Sequence, residues 1–105
     1  MPAVGILSRN TYFPKNGDVL IDREGGVSWE CVRAGLYVDE KTATEIRFVL
    51  LVGRAGELGD TPIPKTLEDS TLPLPFLREV DTILRDRGGK TVRYEKNEKG
   101  NYAET

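Results

Sequence analysis

Acidic side chains are the most obvious chemical groups in this sequence. Two pairs of neighbouring carboxylates occur, Asp39-Glu40 and Glu68-Asp69, and each pair could ligate a hard cation or share a proton. Neighbouring residues on a strand point to opposite faces of a sheet, so neither pair converges on one ligand without a further oxygen from elsewhere. We therefore expect solvated acids at both pairs, and no metal site.

Histidine is absent from the 105 residues, and cysteine occurs once, at Cys31. Without imidazole, histidine-dependent nucleophilic catalysis and histidine-based zinc sites are excluded. A single thiol forms no internal disulfide, and its position two residues from Trp29 on one strand face predicts a buried, inert side chain. Ser8, Ser28 and Ser70 occur in no motif that pairs a serine with a lysine base. The sequence therefore predicts a protein that is not an enzyme.

The segment from Gly53 to Gly59 follows a predicted strand and superficially resembles a phosphate-binding loop. Such loops place the phosphate on the N-terminus of a helix that begins directly after the glycines. Here the next residues, 60–64, read D-T-P-I-P, which is a poor beginning for a helix. Aromatic residues interleaved with bases, which would indicate single-stranded nucleic acid, are also missing. We expect neither a nucleotide cofactor nor a nucleic-acid partner.

The distribution of charge suggests which residues could contact another chain. Fifteen Lys and Arg against 17 Asp and Glu give a net charge of −2, which supplies no overall attraction to nucleic acid or anionic lipid. Acids prevail over residues 57–81 and bases over residues 85–99. Most of these charges are expected to be solvated, but a head-to-tail homo-oligomer would use both segments. The candidate partner contacts are Glu57, Asp60, Glu68, Asp69, Arg85, Arg87, Lys90, Arg93 and Tyr102.

A chain of 105 residues is expected to form one domain, because two domains would each be close to the lower limit for independent folding. No apolar stretch reaches the roughly 18 residues of a membrane-spanning helix. The first ten residues also lack the charged start and the continuing apolar region of a secretory signal. We expect no membrane partner and no secretion through a signal peptide.

Turn signals divide residues 1–52 into short strands, as in a β-meander. Asn16-Gly17 and Arg23–Gly26 are predicted to be tight turns on either side of a strand over residues 18–22. Residues 45–52 are the most apolar run and predict a central strand buried on both faces, with a helix as the alternative.

A further strand over residues 27–34 has two faces, and the one with Trp29 and Cys31 is the better core candidate. Arg33 shares that face by alternation. The predicted core comprises Val19, Ile21, Val27, Trp29, Cys31, Phe48, Leu50, Val52, Leu77, Val80, Ile83 and Leu84.

Closely spaced glycines and prolines change the character of residues 53–74 and predict an arm. A connection of this length without regular structure is often a binding loop or a segment that lies on a neighbour. The alternative is an edge strand that includes Leu72–Leu74, where proline is tolerated.

Residues 75–94 predict a helix followed by a strand. Apolar residues at helical spacing predict an amphipathic helix over about residues 75–87, ended by Gly88-Gly89, and residues 90–94 predict a closing strand. The polar tail over residues 95–105 is expected to be disordered. The fold class is therefore α+β and β-rich, with an antiparallel sheet or small open barrel, one helix and a closing strand.

The stretch from Tyr12 to Gly35 contains Y-x-x-x-x-G-D-V followed by G-G-V-S-W-E-C-V-R-A-G. Over these 24 residues the chain resembles a small β-repeat of bacteriophage tail and fibre proteins, in which the G-D-V strand pairs with the strand that carries the aromatic residue and the cysteine. The resemblance implies a structural component of a phage particle, found in the virion or the host cytoplasm.

Together with the missing catalytic groups, this resemblance favours a non-enzymatic structural protein that acts through protein–protein contacts. It would bind copies of itself, as a homo-oligomer, or other chains of a larger assembly. The alternative is a small cytoplasmic regulator or inhibitor that binds a larger enzyme or nucleic-acid machine through the acidic loop at residues 57–69.

Overall fold

The computed structural model describes residues 5–55 and 62–105, which form one antiparallel sheet. No helix in these ranges is long and apolar enough to cross a membrane. The strands are β1 (Ile6–Leu7), β2 (Val19–Asp22), β3 (Val27–Asp39), β4 (Thr44–Ala55), β5 (Ile63–Glu68), β6 (Thr82–Arg87), β7 (Lys90–Lys96) and β8 (Tyr102–Glu104).

The strand order across the sheet is β1-β8-β7-β6-β2-β3-β4-β5. Two meanders, β2 to β5 and β6 to β8, are joined where β2 pairs with β6, and Leu20 lies opposite Ile83 at this junction. The turn predicted at Arg23–Gly26 connects β2 to β3, which confirms that hairpin. β1 does not join the predicted meander over residues 1–52, because it pairs with β8 at the far side of the sheet.

The hydrophobic core lies on one face of the sheet, where two connections cover it. Tyr12 comes from the segment before β2, and Leu74, Leu77 and Val80 come from the connection between β5 and β6. The buried residues of this core are Tyr12, Leu20, Trp29, Cys31, Val49, Leu51, Leu74, Leu77, Val80, Ile83, Tyr94 and Tyr102.

The prediction of an amphipathic helix over residues 75–87, and with it the α+β fold class, is wrong. The described residues contain no α-helix; Pro75–Arg78 is a 3-10 helix, and β6 follows it. β6 lies between β2 and β7, and the β-branched Thr82 and Ile83 favour a strand there. The helical spacing arises because Val80 ends the connection, Ile83 belongs to the strand, and both reach the same core.

Gly88 and Gly89 form a hairpin turn rather than the end of a helix. β6 ends at Arg87 and β7 begins at Lys90, and these two residues lie opposite each other. Both glycines have a positive φ, +60° and +84°, as a type I′ turn requires at its two central positions. The strand predicted over residues 90–94 is part of β7, but it does not close the sheet, because β8 follows it and pairs with it.

Substitution of Gly88 tests this turn. Gly88→Ala is expected to lower the free energy of unfolding by about 1–2 kcal/mol, because alanine disfavours the left-handed region. A Cβ at Gly88 would meet nothing within 4 Å, so strain of the backbone would be the cause. Gly88→Asn is the matched control and should change stability by less than ~0.5 kcal/mol, since Asn-Gly suits a type I′ turn. Urea unfolding followed by Trp29 fluorescence measures both, and equal losses would contradict the turn.

The core prediction fails on β2 because it chose the wrong face. Leu20 is fully buried, whereas the predicted Val19 and Ile21 are partly exposed. Asp18 is also buried, and alternation places it on the same side as Leu20. A carboxylate normally lies on the solvent face of a strand. The presence of Asp18 on the same side as Leu20 therefore made the opposite side of β2 look like the core-facing one.

On β4, one face meets the core, not two as predicted. Val49 and Leu51 are buried, whereas Phe48, Leu50 and Val52 are partly exposed. On β3, Trp29 and Cys31 are buried as predicted, and Leu77, Val80 and Ile83 also lie in the core. The prediction that Arg33 shares the buried face is wrong, because a bulge between Cys31 and Arg33 reverses the alternation.

The arm predicted over residues 53–74 is partly regular structure. Residues 56–61 lie outside the described part of the chain, but β5 follows and pairs with β4 along Phe48–Gly53. The edge strand therefore lies earlier than Leu72–Leu74, and Leu74 itself is buried.

The prediction of a disordered tail over residues 95–105 is wrong. β7 continues to Lys96, and β8 pairs with both β7 and β1. Tyr102 is fully buried in β8. Burial of this one aromatic side chain helps to hold a largely polar segment against the sheet.

Candidate functional site

The hairpin of β3 and β4 extends beyond the strands on either side of it. β2 pairs with β3 only along Val27–Glu30, and β5 pairs with β4 only along Phe48–Gly53. The two strands continue to pair with each other as far as Asp39 and Thr44. We call residues 33–47, which project past the neighbouring strands, the distal hairpin.

Side chains from outside the hairpin hold its base in place. Arg47 Nε donates to Asp69 Oδ2 at 2.9 Å, and its guanidinium lies 5.9 Å from the centre of the Phe13 ring. The hydrogen bond from Arg47 lowers the pKa of the Asp69 carboxyl. Glu68, the residue before Asp69, accepts a hydrogen bond from the Tyr37 hydroxyl, and this bond raises the pKa of the tyrosine. The hairpin is therefore fixed at its base.

Large apolar side chains are exposed along the distal part of β3. Leu36 is 56% exposed, Val38 57%, Tyr37 42% and the adjacent Val32 43%. Leu36 and Val38 lie on the same face, because residues two apart on a strand do so. An exposed apolar face such as that of Leu36 and Val38, on a projecting element, is typical of a surface that another protein covers.

Asp18 is the centre of the main buried electrostatic network. Its Oδ2 accepts hydrogen bonds from Tyr12 Oη at 2.8 Å, Lys15 N at 3.0 Å and Arg85 Nη2 at 2.8 Å, while Oδ1 accepts from Arg85 Nε at 3.0 Å. The hydrogen bonds that Arg85 donates to Asp18 raise the pKa of Arg85, and burial raises the pKa of Tyr12 well above its usual value. These contacts tie the segment before β2 to β6, and they saturate the carboxylate.

The structure places the predicted acidic contacts in internal interactions or outside its range. Glu57 and Asp60 lie outside the described residues. Glu68 accepts a hydrogen bond from Tyr37, and Asp69 is bound by Arg47. These two carboxylates therefore stabilise the base of the distal hairpin instead of standing free on a loop.

Two of the predicted contacts on the C-terminal side are buried. Tyr102 is fully buried, and its hydroxyl lies within hydrogen-bonding distance of the carbonyls of Leu77 and Val80. The side chain of Arg85 is 12% exposed and is held by Asp18. Both side chains are therefore engaged inside the domain instead of facing a partner.

The remaining predicted contacts lie on the β6–β7 hairpin. Lys90 is exposed at its turn, Arg87 Nη1 lies 3.7 Å from Glu104, and Arg93 Nε donates to Glu95 at 2.6 Å. Three strands, β2, β3 and β4, separate this hairpin from β5, so these basic residues lie across the width of the sheet from Glu68 at the end of β5.

The exposed apolar residues of the distal hairpin were not predicted, because the predicted strand ends at Ala34 whereas β3 continues to Asp39. The alternation of Ala34, Leu36 and Val38 was the available signal. The pairing of Asp18 with Arg85 was not predicted either, because the two residues lie 67 positions apart and no local pattern connects them.

Several cavities lie at the surface of the described residues. A surface cavity of about 390 Å³ is lined by Arg9, Arg78 and Lys96, among others. Lys96 Nζ donates to the carbonyls of Leu77 at 2.9 Å and Arg78 at 3.2 Å, so its charge holds the 3-10 helix. Within residues 5–55 and 62–105, no three acidic or cysteine side chains are grouped in a way that could hold a metal ion.

Glycines fit closely against aromatic rings in the β3–β4 hairpin. A Cβ at Gly53 would lie 2.7 Å from the Trp29 ring, and one at Gly35 would lie 2.4 Å from the Phe48 ring. Gly53 lies opposite Trp29 in the strand pair, so glycine at this position makes room for the ring. Two residues further along β3, burial raises the pKa of the Cys31 thiol.

No protein-family model, no curated protein and no solved structure matches this chain.

Proposed function

We propose that this chain is a non-enzymatic structural protein that acts through contacts with other protein chains. The observation that carries the proposal is the distal hairpin, on which Leu36, Tyr37 and Val38 are exposed beyond the edges of the neighbouring strands. Leaving such side chains in water is unfavourable by roughly 1.5–3 kcal/mol for each large residue that a partner could fully bury. A partner that covers them would supply this free energy.

The resemblance of Tyr12–Gly35 to a bacteriophage tail and fibre repeat suggests the setting. Within this proposal, the chain is a tail or head accessory component of a phage particle, and its partners are copies of itself or neighbouring structural proteins. The strands β2 and β3 that carry the resemblance also lead directly into the distal hairpin.

The alternative function, a regulator that binds through an acidic loop, has less support. Arg47 partly neutralises the charge of Asp69, and Glu68 accepts a hydrogen bond from the Tyr37 hydroxyl, so both carboxylates take part in contacts within the domain. The distal hairpin also presents apolar side chains. Such side chains suit a contact that buries them against another protein, and not one that depends on the charge of an acidic loop.

Site-specific photo-cross-linking tests the proposal in the native source of the protein. A photo-reactive amino acid in place of Val38 is expected to form adducts with another protein chain, because this side chain is 57% exposed on the distal hairpin. The matched control is the same amino acid in place of Thr91, which is exposed on the β6–β7 hairpin. Adducts from position 38 that are absent from position 91 would support the proposal; no adduct from position 38 would overturn it.

A further inference from the structure

The outer edge of β3 loses its neighbour after Cys31. At that residue, Cys31 N donates to the carbonyl of Asp18 at 2.8 Å, and Gly17 N donates to the carbonyl of Cys31 at 2.8 Å. From Arg33 to Asp39, β3 pairs with β4 on one side and with no strand of the described ranges on the other. Alternate residues of this seven-residue segment, which we call the open edge, therefore direct backbone N–H and C=O groups away from the sheet.

The open edge lacks the usual protection against pairing with another strand. Proteins protect exposed edges with proline, with lysine or with charges at the centre of the strand. The edge strand β5 has such protection in Pro64 and Lys65. On the open edge, by contrast, the charged residues Arg33 and Asp39 occur only at the two ends, and the centre is apolar.

We propose that the open edge pairs antiparallel with the open edge of a second copy of this chain, about a two-fold axis at Leu36. This inference rests on the proposed function, because it names the partner that the distal hairpin contacts. In an antiparallel pair of identical strands, opposite residues must present their backbone groups in the same direction. They are therefore separated by an even number of positions, and only a few registers are possible.

The register centred on Leu36 is electrostatically complementary. It places Arg33 of each copy opposite Asp39 of the other, so two ion pairs form at the ends of the paired segment. Opposite charges that face each other across a strand pair stabilise it, and like charges destabilise it. Neither Arg33 nor Asp39 forms an ion pair with another side chain within residues 5–55 and 62–105, so both charges are available.

The two neighbouring registers are unfavourable. Centring on Tyr37 would place Arg33 opposite Lys41, which brings like charges together. Centring on Gly35 would place Asp39 opposite Cys31, whose outer backbone groups already bond to the chain before β2. The charges and the existing hydrogen bonds thus select the register centred on Leu36.

The same register also covers the exposed apolar side chains. Leu36 lies opposite its own copy, and Ala34 lies opposite Val38, so six apolar side chains from the two copies share one face. On the other face Tyr37 lies opposite Gly35, and an aromatic ring across from a glycine stabilises a strand pair. The paired edges would join the two sheets into one continuous sheet.

Charge exchange between the two ends of the open edge provides the test. Arg33→Asp would place two carboxylates opposite each other at both ends, and Asp39→Arg would do the same with two guanidinium groups. Each single variant is expected to raise the dimer dissociation constant on the order of 30-fold over the wild-type value. An equimolar mixture of the two variants should form a heterodimer with near wild-type affinity, because each charge then faces its opposite.

Sedimentation velocity of the purified full chain, from low micromolar to submillimolar concentration, measures these affinities, and Trp29 fluorescence checks the fold of each variant. As a second disruption, Leu36→Glu places two carboxylates at the axis, and Thr42→Glu in the exposed turn is its matched control. If Asp39→Arg unfolds the chain, Leu36→Glu decides: a loss of dimer that Thr42→Glu does not share supports the inference.

Three results would overturn the inference. The wild-type chain could remain monomeric, the dimer could be insensitive to all of these substitutions, or two folded single variants could fail to associate on mixing. A monomeric chain that still forms adducts with a different protein from position 38 would overturn the self-pairing and leave the proposed function standing. Absence of both self-association and adducts would overturn both.

Discussion

Asp18→Ala is expected to lower the free energy of unfolding by about 3–5 kcal/mol, one of the largest effects of any single substitution in this chain. The substitution removes the only carboxylate that contacts the buried guanidinium of Arg85 in the described residues. It also leaves Tyr12 Oη and Lys15 N without their acceptor. An uncompensated charge with a side chain only 12% exposed, and not the loss of one attractive contact, is the main cause.

A double-mutant cycle separates the pair from its surroundings. Arg85→Met is expected to destabilise by a similar amount, and the double variant Asp18→Ala/Arg85→Met should lose about 1–3 kcal/mol less than the sum of the two single losses. Urea unfolding followed by Trp29 fluorescence gives all the values. Asp22→Ala is the matched control, because its carboxylate accepts a hydrogen bond from the exposed Gly25 N and should contribute less than ~1 kcal/mol. Strictly additive losses would contradict the proposed coupling.

The Asp18 network also explains how a sheet with many strands is held together in a short chain. Tyr12 and Lys15 precede β2, Arg85 lies in β6, and the carboxylate connects them. The side of β2 that bonds to β6 is thereby fixed by hydrogen bonds as well as by the packing of Leu20 against the core.

Local signals in the sequence predicted some of the turns and strands correctly. Arg23–Gly26 was identified as a turn because adjacent glycines allow positive φ, and Gly26 indeed has a φ of +69°. The strand before that turn followed from the turns on either side of it, and the burial of Trp29 and Cys31 followed from alternation along the next strand. These features depend on a few neighbouring residues, which is the range over which sequence patterns carry information.

The distal hairpin could not be predicted from turn residues. Its turn over residues 40–43 contains neither glycine nor proline, and Ala43 adopts a φ of +54° that alanine rarely takes. The Ala43 N–H bond to the carbonyl of Asp39 at 2.8 Å closes this turn. Because the turn carries no such signal, the sequence predicts a strand that ends at Ala34, and Leu36–Val38 lie beyond that predicted end although they belong to β3.

The Gly88-Gly89 pair shows why a local pattern is sometimes ambiguous. A glycine with positive φ ends many helices and also occupies the centre of type I′ turns. The choice here depends on β2 and β7, which lie on either side of β6, and their contribution is not visible from residues 75–89 alone. Tertiary pairing therefore overrode a helical spacing of apolar residues.

The order of the C-terminal segment likewise depends on distant contacts. Tyr102 is fully buried, its ring centre lies 6.4 Å from that of Tyr12, and its hydroxyl is 3.0 Å from the Leu77 carbonyl and 2.7 Å from that of Val80. These partners lie 22 to 90 positions away in sequence, so a composition argument over residues 95–105 misses them. Because β1 pairs only with β8 among the described strands, the same residue also supports the edge of the sheet.

Tyr102→Ala is therefore expected to lower the free energy of unfolding by about 3–5 kcal/mol, the range for removal of a buried aromatic side chain. Tyr102→Phe keeps the ring but leaves the two carbonyls without the hydroxyl, and should lose about 1–2 kcal/mol. Glu104→Ala, in the same strand, is the matched control and should lose less than ~0.5 kcal/mol, since its ion pair with Arg87 is long and partly exposed. Urea midpoints measure all three. If Tyr102→Ala matched the Glu104 control, β8 would not hold the sheet, because a docked strand must lose stability with its one buried aromatic residue.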